Sequence, residues 1–270
     1  MLVCAPARGT SVAQLPSHVL VIRNREPPEE GVMAMFAAGG FGAGALGSGA
    51  RWCEVGVGGR RLRAHGLAAR LYARGEIIFS PGAEHQSVYL LECGLVRIFR
   101  LSASGAETTF YYVSPGEVFG GESLLAGDSE ENFAQALSPS RAWRLPRAVF
   151  EEALGRDSSV LREVARQLGR RLKLAENRLE DRVFRDVEAR VARVLLELAE
   201  RFGSSADEGW MRLDLPVTQS DLATLVGTTR QSVNTSLRRL GDAGLLAREG
   251  RRVLRILPAA LRGIANATLA

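Results

Sequence analysis

Between Thr218 and Leu246 the chain sets Arg230, Gln231, Asn234, Thr235 and Arg238 along one side of a prospective helix. Arginine can donate two hydrogen bonds to guanine O6 and N7, and asparagine or glutamine can pair with adenine N6 and N7. Arg238 also suits a phosphate, as does the cluster of unpaired amides at a helix start. Val233, Leu237 and Leu240 fall between them at spacings of four and three and form an opposite, apolar stripe. The chemistry indicated is the reading of base edges in a DNA major groove. The plainer alternative is a helical hairpin with solvated polar faces.

Those side chains need a frame. Thr218 reads as the N-cap of a preceding short helix, with Asp221 three residues on as a near capping box. Leu222, Leu225 and Val226 give that helix its apolar stripe, and Gly227 ends it, because glycine tolerates the left-handed backbone of a sharp turn. Thr229 caps the second helix. Thr218, Gln219 and Thr229, at the two helix starts, join the residues expected to touch DNA. Beyond them, 245–248 and 253–257 read as two short strands around the polar turn 249–252, which includes Arg251, a further expected DNA contact. From Arg230 to Arg262 there are eight arginines against Asp242 and Glu249, a local excess that suits phosphate neutralisation.

At 270 residues the chain is long enough for two domains, and its net charge of +5 is unevenly shared. Residues 1–70 carry 8 basic and 4 acidic side chains, 71–183 carry 14 and 16, and 184–270 carry 13 and 10. A mildly acidic middle and a basic C-terminal part fit a sensor joined to a nucleic-acid binder. Cys4, Cys53 and Cys93 are too few and too scattered for a disulfide framework or an iron–sulfur site, and a reducing cytoplasm is the expected compartment.

The first 66 residues differ in kind. The tract 31–50 is uncharged and holds seven glycines, which makes it a poor membrane helix. No charged start, apolar core and cleavage site mark a signal peptide. The match of 42–47 to GxGxxG is discarded, since no βαβ unit or acidic partner follows. The region is expected to be a disordered extension, or an over-extended start with translation beginning nearer Val57.

From about Leu71 the pattern turns to short strands: 76–79, 87–91, 95–101, 108–113, 134–137 and 142–145, separated by turns such as Ser80-Pro81-Gly82 and Ser114-Pro115-Gly116-Glu117. Their regular spacing predicts a barrel or jelly roll. Helix resumes near Arg147 and runs long after Asp157. Leu161, Ala165, Leu168, Leu172, Ala175 and Leu179 form a narrow seam flanked by charge, which predicts a parallel homodimer interface. A further helix, 184–202, leads to the polar loop 203–209.

The order β-barrel, long helix and C-terminal winged helix-turn-helix resembles the Crp/Fnr superfamily of bacterial transcription regulators. The residues carrying the resemblance are Gly75-Glu76-x-x-Phe79-x-Pro81-Gly82, Tyr89-Leu90-Leu91-Glu92-x-Gly94-Leu95-Val96-Arg97, Pro115-Gly116-Glu117-x-Phe119-Gly120 and 226–233. It implies an α+β fold with five parts: an extension over 1–66, a jelly-roll sensor over 67–150 and a dimerisation helix over 151–183. A winged helix-turn-helix follows over 184–262, and a tail over 263–270. It also implies a homodimer on a palindromic promoter site, mostly an activator, that touches RNA polymerase. The base-reading positions fall on Arg230, Gln231 and the Asn234/Thr235 pair. Gln231 stands where many members carry Glu, and Thr235 where Arg is common.

The effector pocket falls by the same resemblance on Gly120, Glu122, Ser123, Glu131 and Asn132. Cyclic-nucleotide-binding members hold the phosphate with an Arg-Ser or Arg-Thr pair; Glu131 and Asn132 stand there, beside Glu130. Carboxylates repel a cyclic phosphate. Cyclic AMP is therefore disfavoured, no cofactor is expected, and the reading is a vestigial or filled pocket; another small ligand is the alternative. His18, His65 and His85 are isolated, which argues against haem, and Cys93 reads as a plain or redox-sensitive thiol in a hairpin turn. No paired carboxylates, metal-spaced group or activated nucleophile suggests an enzyme. A ligand-binding module with only general DNA affinity is the competing class.

Overall fold

The computed structural model describes residues 52–57, 60–65, 68–82, 87–122, 130–249 and 253–267. They divide into two units, one holding residues up to Ile98 and Tyr112–Gly169, the other Phe99–Tyr111 and residues from Arg170 onward.

Part of the extension expected to be disordered is a hairpin. Strand β1 (Trp52–Val57) pairs antiparallel with β2 (Arg60–His65), Trp52 opposite His65 and Val57 opposite Arg60. That register leaves two residues between the strands, and Gly58-Gly59 in the sequence is a hairpin signal. The glycine-rich composition upstream masked it. Residues 1–51, including the 31–50 tract, lie outside the described residues.

The β part follows as β3 (Ala68–Tyr72), β4 (Ile77–Phe79), β5 (Ser87–Cys93), β6 (Val96–Leu101), β7 (Glu107–Val113), β8 (Val118–Phe119), β9 (Phe133–Ala136) and β10 (Ser140–Pro146). They form two four-stranded sheets, β3-β10-β5-β8 and β4-β9-β6-β7. This is the jelly roll read from the sequence, with β3 and β8 added. Strand β5 lies between β10 and β8 and is buried from Ser87 through Glu92. It therefore reads as a continuous apolar run rather than an alternating one. Within it Glu92 accepts a hydrogen bond from Trp143 Nε1 at 2.8 Å and pairs with Arg141, so its buried charge is compensated.

Helix resumes at Arg147, as the sequence indicated, in α1 (Arg147–Arg156), and the long α2 (Ser158–Phe184) follows after Asp157. Asp157 breaks the run and accepts the Ser159 amide at 2.8 Å, as a capping side chain does. The first turns of α2 bury Val160 and Val164 in a cluster with Val88, Leu90, Trp143, Leu145 and Phe150. Gln167, 2% exposed, accepts the Val118 amide at 3.0 Å and donates to the Gly116 carbonyl at 3.4 Å. This start of α2 is thus fixed to its own β-sheet.

In the second unit the expected helix 184–202 begins at Val187 instead, as α3 (Val187–Phe202). Asp186 caps it by accepting the Ala189 amide at 2.8 Å. The break rests on Arg185, which is 9% exposed. It donates to Asp181 at 2.8 Å and to the backbone carbonyls of Ala265 and Ala267 at 2.8 and 3.3 Å. Those carbonyls lie at the end of α6 (Pro258–Ala265), a helix absent from the sequence reading that packs on α3. Asp181 also meets Arg193 at 3.1 Å. Burial raises the Asp181 pKa above the ordinary carboxylate value, while Arg193 and Arg185 pull it back.

The rest of the unit is a four-stranded sheet ordered β11 (Ser204–Ser205), β12 (Met211–Asp214), β14 (Val253–Ile256), β13 (Leu246–Glu249), with helices α4 (Gln219–Val226) and α5 (Arg230–Asp242). The wing thus has β12 as an inner partner for β14, where the sequence suggested two strands alone. Among the described residues no helix is long and apolar enough to cross a membrane.

Candidate nucleic-acid interface

Both helices of the turn motif are held at their starts as the sequence indicated. Thr218 Oγ1 accepts the Asp221 amide at 3.2 Å, and Asp221 accepts the Thr218 amide at 2.7 Å, completing a capping box. Thr229 Oγ1 accepts the Ser232 amide at 3.1 Å at the start of α5. Between them Gly227 adopts φ +73°, and a β-carbon there would stand 2.5 Å from Arg182 Nη2. The left-handed backbone is what favours glycine here, since the end of the Arg182 side chain can shift away from a β-carbon.

Packing then decides which faces remain for a ligand. Leu222, Leu225 and Val226 of α4, and Val233, Leu237 and Leu240 of α5, are buried as expected. Ser236 is buried too, at 4%, a position the pattern of large apolar residues did not flag. Arg230, Gln231, Asn234 and Arg238 are exposed, and Thr235 is only half-buried at the edge of the same face. Across the motif, Gln219 Nε2 donates to Asn234 Oδ1 at 3.2 Å. Arg251 lies outside the described residues.

The arginines divide by their partners. Arg239 is drawn to Glu188 at 3.5 Å, and Arg212 and Arg255 share Glu249 at 3.7 and 3.4 Å, with Arg255 also over the Trp210 ring. Arg230, Arg238 and Arg248 hold no ion pair among the described residues and keep their charge for an outside partner. No acidic residue lies in the first turn of α5. The face therefore offers two unpaired guanidinium groups, two carboxamides and the positive end of a helix, a donor-rich surface suited to base edges and phosphates.

Along α2 the residues expected to form a dimer seam are mostly exposed. Leu161, Leu172 and Leu179 are 48, 63 and 67% exposed, and Ala165 and Ala175 are exposed with them. Leu168 differs: it is half-buried against the core cluster of its own domain, which narrows the free seam at that turn. Val183 and Phe184, not read from the sequence, extend it as exposed apolar residues.

At the expected effector pocket, Gly120 adopts φ +72° with the Phe79 ring so close that a β-carbon would stand 2.8 Å away. The rings of Phe79, Tyr89 and Phe119 lie 5.4 to 6.1 Å apart and are buried. Glu122 accepts the Gly121 amide at 3.2 Å. Buried Glu130 accepts the Asn132 amide at 2.9 Å, and Glu131 is exposed. Ser123 lies outside the described residues. Carboxylates at 130 and 131 and an amide at 132 are a poor set for a cyclic phosphate, which needs donors and positive charge.

A β-sandwich sensor-type domain, a long helix and a capped, arginine-bearing winged helix-turn-helix define a two-domain DNA-binding regulator. The family model of the cyclic nucleotide-binding domain matches residues 69–157, and that of the Crp-like helix-turn-helix domain matches 189–264. The transcriptional regulator LdrP of Thermus thermophilus is 36% identical over 199 residues, covering 73% of this chain and 97% of the relative. The CRP-like cAMP-activated global transcriptional regulator of Mycobacterium tuberculosis is 31% identical over 183 residues, covering 68% and 81%. The solved structure of FixK2 from Bradyrhizobium japonicum superposes with a TM-score of 0.65 at 27% identity, covering 75% of this chain and 99% of that one. The chain belongs to the Crp/Fnr family of DNA-binding transcription regulators.

Proposed function

We propose that this regulator binds a palindromic promoter site as a homodimer and mostly activates transcription, through contact with RNA polymerase in the cytoplasm, without needing cyclic AMP. The observation that carries the reading is the exposed row Arg230, Gln231 and Asn234 on a helix capped at its start and packed on its other face. Arg230 reads a guanine in each half-site, and Arg238 grips phosphate. The exposed leucines of α2 supply the two-fold contact, and two readers related by it need half-sites about one helical turn, roughly 34 Å, apart. Independence from cyclic AMP is supported by the carboxylates of Glu130 and Glu131 and by the aromatic packing beside Gly120.

The test is competition between specific and random DNA. Arg230→Ala should lose roughly 1–3 kcal/mol on the specific site and little on random DNA. Arg238→Ala should weaken both alike and lower the salt slope by about 0.9. Equal losses on both DNAs for both variants would overturn the assignment of readers and leave a module with general DNA affinity. The match to the cyclic nucleotide-binding model favours a second reading, an effector-gated regulator, and it stands if specific binding appears only with nucleotide added.

A further inference from the structure

Gln219 and Asn234 are fifteen residues apart on different helices, yet their side chains meet. We infer that Gln219 is a specificity-determining positioning residue that acts through Asn234, fixing which end of the Asn234 carboxamide faces the major groove. The inference rests on the base-reading role proposed for α5.

A carboxamide presents an acceptor oxygen and a donor nitrogen in opposite senses, so an unrestrained asparagine can show either to a base. Here Oδ1 of Asn234 accepts from Gln219 Nε2 at 3.2 Å and is turned toward α4. Nδ2, with no hydrogen bond among the described residues, is the end turned away from α4. Gln219 follows Thr218, whose amide and hydroxyl are both tied to Asp221, so its backbone is held at the start of α4. At the first position of α4 the positive helix end favours the Gln219 oxygen on the helix side and leaves Nε2 to reach across. Asn234 stands four residues after Arg230, on the same face of α5, so it meets a base near the one that Arg230 reads. A donor there favours a keto base, through guanine O6 or thymine O4, over the amino groups of cytosine and adenine, while the N7 acceptor shared by both purines does not discriminate.

The experiment is selection of bound DNA from a random pool by the purified wild type and by Arg230→Ala, Asn234→Ala, Gln219→Ala and Gln219→Glu, with circular dichroism to confirm folding. Asn234→Ala locates the base pair that Asn234 reads as the one whose preference it flattens. At that pair Gln219→Ala should reduce the preference roughly threefold to tenfold, the worth of one restrained hydrogen bond. Gln219→Glu, which can only accept, should draw Nδ2 to itself, turn Oδ1 to the groove and reverse the preference from keto to amino on one strand. Because a keto base pairs with an amino base, the reversal is read without knowing which strand Asn234 faces. An unchanged preference in both Gln219 variants overturns the inference alone, provided Arg230→Ala still erases its own position. If Asn234→Ala flattens no position, the inference also falls. A wild type that enriches no site overturns the base-reading role and the inference with it.

Discussion

Leu172 and Leu179 give the dimer reading its most quantitative test. They are 63 and 67% exposed along α2. Fully burying a leucine side chain is worth about 1.5–3 kcal/mol, so covering the exposed two thirds of each is worth about 1–2 kcal/mol. Two such residues on each of two protomers supply about 4–8 kcal/mol of association energy. Alanine keeps only the β-carbon and is the best helix former, so Leu172→Ala with Leu179→Ala leaves α2 intact while removing most of that area. The expected loss is about 3–6 kcal/mol, a rise in the dimer dissociation constant of roughly a hundredfold to ten-thousandfold. Sedimentation velocity over a dilution series reads it directly, with circular dichroism confirming unchanged helix content. An unaltered dissociation constant in a folded double variant, or a wild type that stays monomeric at tens of micromolar, refutes the reasoning.

Two further outcomes follow from the second unit. Gly227→Ala places a β-carbon on a backbone at φ +73° and displaces Arg182, so urea unfolding should show a loss of about 1–2 kcal/mol, with Gly227→Asn recovering part of it. Burial raises the Asp181 pKa in the folded state, so its contribution to stability is fully present in acid and declines as pH rises through the folded pKa. Asp181→Asn, which mimics the neutral acid, should therefore gain stability relative to wild type as pH rises above the ordinary carboxylate value; thermal melts in which the difference moves the other way would contradict the assignment.

What was legible in the sequence was what is encoded locally. The caps Thr218 and Thr229, the turn at Gly227 and the apolar stripe Val233, Leu237 and Leu240 each depend on neighbours within a few residues. The strand text of the jelly roll was equally plain, because turns at 80–82 and 114–117 punctuate it. Long-range contacts were not legible. Arg185 breaks the helix run because carbonyls some eighty residues away receive its guanidinium, and no window around position 185 holds that information. The inner face of α2 was hidden behind its more regular leucine seam, since Val160, Val164 and Gln167 acquire their role only from the sheet beneath them. Gln219 and Asn234 were each expected from the sequence to face DNA, but their hydrogen bond depends on how α4 crosses α5. At the sensor domain the residue types at 130–132 were readable, whereas the ring packing of Phe79, Tyr89 and Phe119 beside Gly120 required the fold.

The most direct measurement is unbiased selection of bound DNA by the purified protein with no nucleotide added. The account predicts enrichment of a two-fold symmetric site with half-sites about one helical turn apart and a guanine that Arg230→Ala erases. Absence of any enriched sequence, or enrichment that appears only when cyclic AMP is supplied, would contradict it.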